Sequence, residues 1–157
     1  MNLYFALKLI HVLGAAVLFG TGLGIAFFLW MAHRTRDAAA IAHTAGVVVV
    51  ADVIFTATAV VVQPISGAAI AWHAGYSLLE PWIVLSLVLY VLVGACWLPV
   101  VWIQARLRDL AAAAARDRTT LPQRYHRLFQ IWFWLGWPAF GGVLAIYALM
   151  IWKPALW

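Results

Sequence analysis

The chain has 157 residues, of which 67% are hydrophobic and 10% charged, with ten Trp and one Cys. That exceeds the roughly 45–50% apolar content of a soluble domain and cannot be hidden in one small core; it also excludes a disordered chain. Cys96 alone excludes an internal disulfide framework and any multi-Cys metal site. The net charge of +5 does not indicate nucleic acid, because the basic residues cap the ends of apolar runs instead of forming one patch.

Four apolar runs are long enough to span a bilayer, which takes about 20 residues. The first, Leu3 to Ala32, contains Lys8 and His11; it is too long for a secretory signal and reads as a retained helix. The second, Ala38 to Val62, contains His43 and Asp52, and Gln63-Pro64 is expected to stop it. Ile65 to Tyr76 is then too apolar for an ordinary loop and too short to span, which predicts a short interfacial or re-entrant element on the outer side. The third run starts at Glu80-Pro81, with Pro suited to the first turn and Glu to the positive helix end. It extends as a helix to about residue 108, and Leu110 to Thr120 reads as its cytoplasmic extension. The fourth helix covers about residues 125–152 and holds Pro138. The expected architecture is all-α: a single polytopic domain over residues 1–157, a bundle of four transmembrane helices near 3–32, 38–62, 81–108 and 125–152.

Arginine placement sets the expected orientation. Eight arginines lie in the first and third connections, against only Lys153 beyond the other helix ends. Both termini are therefore expected on the periplasmic side of a bacterial inner membrane. Trp72, Tyr76, Trp82 and Trp152 fit an outer aromatic belt, and Trp30 and Trp102 an inner one.

Ionisable groups inside a membrane are costly and mark functional candidates. Lys8 and His11 are three apart, hence on one helix face, with small residues nearby that leave space for a flat ligand. A neutral imidazole is a good iron ligand, so His11 is a candidate metal and cofactor ligand, against the plainer reading of a hydrogen bond to a neighbouring helix. Lys8 is either functional or snorkels to the headgroups. Asp52 lies mid-membrane, with Lys8, His11 or Tyr90 as conceivable partners; proton relay and counter-charge weigh evenly against a helix-to-helix hydrogen bond. His73 in the outer connection is the geometrically best second ligand for His11. His43 points away from Asp52, and His33 and His126 sit beside arginines, most simply solvated. Ser86, Tyr90 and Gly94 form one stripe, and with Gln130, Trp134 and Trp137 they suggest a cavity with an aromatic wall, although such stripes more often serve packing. Gly20-x-x-x-Gly24 suits close helix packing or a homo-oligomer.

Leu7-Lys8-x-x-His11-x-x-Gly14 and the closing Ala148-Leu-Met-Ile-Trp-Lys153-Pro154 resemble the HemJ and CopD-like membrane families. Lys8-x-x-His11, Ala51-Asp52-x-x-Phe55-Thr56, Pro81-Trp82 and Trp97-Leu98-Pro99 resemble a bacterial family of predicted integral membrane proteins, domain of unknown function 2269, over nearly the whole chain. The HemJ resemblance implies haem b on His11 with Lys8 close by. HemJ proteins carry Arg-x-x-Asn-Glu-x-Pro entering the last helix, where this chain reads Arg127-Leu-Phe-Gln130-Ile-Trp-Phe without the Asn-Glu; the resemblance therefore implies a porphyrin-binding bundle more directly than it implies protoporphyrinogen oxidation. The leading expectation is a haem b redox protein exchanging electrons with quinol, porphyrinogen or an oxygen species, with quinone or porphyrin as partner. The alternative is a small transporter, ion-handling or accessory protein using Asp52 and Lys8.

Overall fold

The computed structural model describes residues 2–155. Four long helices cover almost all of them: Leu3–Thr35, Ala38–Ala74, Pro81–Asp117 and Gln123–Trp152. Each is long and apolar enough to cross a membrane. At 1.5 Å per residue, each exceeds the roughly 30 Å hydrocarbon thickness, so their ends project beyond it or the helices tilt.

Local chemistry sets the boundaries. The Asn2 side chain accepts from Tyr4 N, and Asp37 caps the second helix by accepting from Ala39 N at 2.8 Å. The turn between the first two helices is tight: Thr35 Oγ1 donates to Ala32 O, accepts from Asp37 N, and Arg36 takes the left-handed conformation at φ 59°. Gly75, at φ 75°, closes the second helix, a conformation that costs glycine nothing. Pro81 occupies the first turn of the third helix, as expected, and that helix runs unbroken through the alanine stretch to Asp117.

The second helix differs from expectation. It does not stop at Pro64 but continues through it, so that Ile65 to Ala74 is helix and no separate interfacial or re-entrant element precedes the third span. A proline inside a helix removes the bond to the carbonyl four residues earlier, here Val60 O. The Tyr90 hydroxyl on the third helix donates to that same oxygen. A backbone group freed in a membrane needs another donor, and this cross-helix bond supplies it. The helix also contains a π-helical segment, Asp52–Thr56, a feature frequent at functional sites.

Packing is uneven along the bundle. At the arginine-rich end all four helices share one core, with Leu29, Ile41, Leu107 and Tyr125 fully buried. At the opposite end the buried apolar cluster is small, built on Ala71, Trp82 and Ile83. The second helix packs on the third in its first half and chiefly on the first beyond the π segment, whereas the first and fourth helices scarcely meet. Tyr147 bridges the two, its hydroxyl donating to Ala15 O at 2.5 Å. Large apolar side chains such as Phe28, Val91 and Trp134 are mostly exposed, the pattern of a lipid-facing surface.

Aromatic residues mark both ends. Arg34 lies over Trp30 and Arg106 over Trp102, while Lys153 lies over Tyr76 and Trp82 and donates to the Tyr76 hydroxyl at 3.1 Å. Trp82 is buried against its neighbours instead of standing free in the interface. His33 departs from the solvated reading: its ring stacks on Phe129 with centroids 3.6 Å apart, and its Nδ1 is 3.1 Å from the Tyr125 hydroxyl. The reason is that the first helix continues past Ala32 to Thr35, carrying His33 against the start of the fourth.

Candidate functional site

The membrane-embedded polar residues fall into two groups, far apart along the second helix. The first centres on Asp52, only 3% exposed. It sits at the start of the π segment and faces the third helix. Trp97 Nε1 donates to Oδ1 at 3.3 Å. The Gln104 amide, oriented as its partners require, donates to Oδ2 at 2.7 Å and accepts from Trp132 Nε1 at 3.3 Å. Trp97 and Gln104 are seven apart, hence on one face of the third helix, and they bracket the carboxyl from above and below. One turn further, Thr56 buries its hydroxyl with no hydrogen-bond partner. The network joins three helices and contains one acid and no base. Both side-chain salt bridges among the described residues, Arg108–Asp109 and Arg116–Asp117, lie elsewhere.

The expected partners of Asp52 are not there. Lys8 is exposed, with its ammonium 6.0 Å from the Tyr4 ring. His11 lies against Ser66, fourteen residues and about 21 Å further along the second helix than Asp52. Tyr90 is engaged with Val60 O. The antiparallel run of the first two helices puts Lys8 and His11 at the opposite end of the bundle, so no Asp52–Lys8 pair forms.

The second group centres on His11. Its Nδ1 is 2.9 Å from Ser66 Oγ, and Ser66 Oγ also reaches the Val62 and Gln63 carbonyls. Gln63 Nε2 donates to His11 O at 2.9 Å. Two glycines permit this approach. A Cβ on Gly14 would collide with Gln63 Nε2, and one on Gly67 would come within 3.2 Å of His11 Cε1. His11 therefore points into the first–second helix seam, not toward lipid. His73 sits on the same helix about 10 Å beyond Ser66 and is exposed, so the structure does not bring it to His11.

The third-helix stripe and the fourth-helix residues do not line one cavity together: Gln130 and Trp134 border a hollow on the outer surface of the fourth helix, without Ser86, Tyr90 or Gly94. Ser86 donates to Trp82 O, while Gln130, Trp134 and Trp137 face outward. Between the third and fourth helices runs an apolar groove of about 280 Å³, lined by Leu92, Val93, Cys96, Pro138 and Gly141 among others. Cys96 is half-buried on the groove wall. His43 is exposed, on the side away from Asp52, as its spacing predicts.

A haem would find one oriented imidazole here, His11, but no second His beside it among the described residues. Among the described residues no three His, Cys, Asp or Glu side chains group closely enough to hold a metal ion. Neither the groove between the third and fourth helices nor the hollow on the outer surface of the fourth includes His11.

Gln104 and Trp132 do not stand out in the sequence. Gln104 follows Ile103, where the apolar run ends, and so looks like a boundary residue. Its signal is the seven-residue spacing from Trp97 on a helix that continues to Asp117. Two of the motif segments, Ala51-Asp52-x-x-Phe55-Thr56 and Trp97-Leu98-Pro99, meet at this network through Asp52 and Trp97.

No curated protein and no solved structure matches the chain, and no relationship to HemJ or CopD-like proteins is shown. A family model described as "Predicted integral membrane protein (DUF2269)" matches residues 5–154. With four apolar helices and an interior held by inter-helix hydrogen bonds, the chain belongs to this family of integral membrane proteins.

Proposed function

We propose that the protein handles protons or small cations across the membrane, with Asp52 as the group that changes charge. The observation carrying this reading is a carboxyl 3% exposed and contacted by neutral donors, Trp97 and Gln104. Buried charges in proteins are ordinarily paired or neutralised. The indole and amide N–H groups hold the ionised carboxylate; on protonation the Gln104 amide can turn its oxygen to accept from the carboxyl O–H, and the unpartnered Thr56 hydroxyl offers one more polar contact along the same face. Gain and loss of a proton at Asp52 is the chemistry such a site performs. Lys8 has no share in it, being exposed at the other end of the bundle. The setting proposed is a bacterial inner membrane, with the arginine-rich end cytoplasmic and both termini periplasmic, on the strength of the arginine bias. The test is proton-dependent flux in vesicles loaded with a pH-sensitive dye. Asp52→Asn is expected to abolish it, and undiminished flux in that variant sinks the reading.

A second reading, a haem b protein exchanging electrons with quinol, porphyrinogen or an oxygen species, is favoured by one observation. The 2.9 Å contact between His11 Nδ1 and Ser66 Oγ is the kind of outer hydrogen bond that orients a ligating imidazole. Protein expressed with ample haem and purified in detergent is expected, on this reading, to show a Soret band that His11→Ala removes. A colourless protein, or a band indifferent to that substitution, rejects it. A homo-oligomer through Gly20 and Gly24 is a further proposal; both glycines have open space beside them.

A further inference from the structure

The fourth helix carries polar side chains on a face that no other helix covers. Arg127, Gln130, Ile131, Trp134 and Leu135 line a hollow of about 480 Å³ on its outer surface. Arg127, Gln130 and Trp134 are all exposed, Trp134 to 68%. Their spacing of three and four residues puts them on one stripe running from the arginine-rich end toward the membrane centre. Arg127 takes part in no salt bridge among the described residues, unlike Arg108 and Arg116, which pair with Asp109 and Asp117. Eight arginines and three aspartates lie at this end, so the surroundings are positive overall.

From these observations we infer that this stripe is a binding site for one anionic phospholipid. Depth decides the occupant. Arg127 to Trp134 spans seven residues, about 10 Å along the helix, the passage from headgroup level into the upper acyl chains. The guanidinium meets the phosphate with a fork of donors. The Gln130 amide, one turn deeper, donates to an ester carbonyl, and Ile131, Leu135 and the Trp134 ring lie along the chain. A peptide partner would leave Arg127 and Gln130 needing matched acceptors inside a hydrophobic contact; a lipid supplies a phosphate and a carbonyl at the two heights required. The preference for a net negative headgroup follows from the unpaired Arg127 guanidinium at phosphate height, whereas the charge of Arg116 is offset by its partner Asp117.

Retained lipid is counted by native mass spectrometry on the full chain, titrated separately with phosphatidylglycerol and phosphatidylcholine. The intact protein is expected to hold phosphatidylglycerol in preference to phosphatidylcholine. Arg127→Gln lowers that preference roughly fivefold. Gln130→Ala weakens both lipids alike, because both carry the ester. Arg116→Gln, at an exposed and ion-paired position, leaves the preference unchanged. Equal binding of the two lipids by the intact protein overturns the inference, as does a preference that survives Arg127→Gln or falls as much with Arg116→Gln. Since Arg127 is exposed, folding is expected to persist; Arg127→Lys, which keeps the charge, retains most of the preference if the site is as described and loses none of the fold.

Discussion

The two ends of the bundle solve the same problem differently. At the arginine-rich end, polar groups are enclosed: Asp52, Gln104 and Trp132 come from three helices, and the first two are almost without exposed surface. Toward the other end, the polar contacts are local to one helix seam, or are long aromatic reaches such as Tyr90 to Val60 O and Tyr147 to Ala15 O. His11 is only half-buried there. Lipid tails are as apolar as leucine, so helices in a bilayer associate through close packing and hydrogen bonds, not through exclusion of water. The enclosed end has both. The other end relies more on individual bonds, and each therefore carries a more visible share of the pairing.

The strongest way to sharpen the contrast is to remove an enclosed donor. Gln104→Leu leaves Asp52 Oδ2 and Trp132 Nε1 without their partner and is expected to cost about 2–4 kcal/mol in reversible unfolding in detergent. Adding Asp52→Leu should cost less than the sum of the two single changes, since the Asp52–Gln104 bond is then lost only once, although the Trp97 and Trp132 indole N–H groups stay unpaired; strictly additive costs would show that the network is not a unit. Next comes the proline bond. Tyr90→Phe strands the Val60 carbonyl and should cost about 1–3 kcal/mol. Pro64→Ala in the same background restores an N–H to that carbonyl, so the two changes together should cost less than Tyr90→Phe alone. Additive costs would mean that Tyr90 does not serve Pro64. The smallest effects separate glycines that touch something from those that do not. Gly67→Ala presses a methyl toward the His11 ring and should cost about 0.5–1.5 kcal/mol. Gly20→Ala meets nothing within 4 Å and should stay within about 0.5 kcal/mol in the monomer. A larger effect for Gly20→Ala that depends on protein concentration would instead reveal a helix contact between copies.

Much of the fold is legible in the residues alone. Four spans, the start at Pro81 and the helical extension of the third span all follow from residue type and run length. Pro64 misleads because its stop signal is a local one, and what overrides it is a hydroxyl on another helix, on Tyr90. His33 misleads for a similar reason, since arginine neighbours in sequence say nothing of Phe129 across the bundle. Asp52 and His11 are recognisable as costly membrane residues. Depth in the membrane suggests Lys8, His11 or Tyr90 as partners for Asp52, yet it meets none of them, because depth along a helix carries no information about which neighbour its face is turned to.

By itself the sequence determined that this chain lives in a membrane, how many times it crosses, and which side chains must find partners there. Those facts depend only on the free energy of moving each residue into lipid and on the length needed to cross it, quantities that add along the chain. Which partner each side chain found was decided by tertiary structure alone. Helix rotation, register and the extra residue of the π segment set those distances, and a shift of one residue turns a side chain by about 100°.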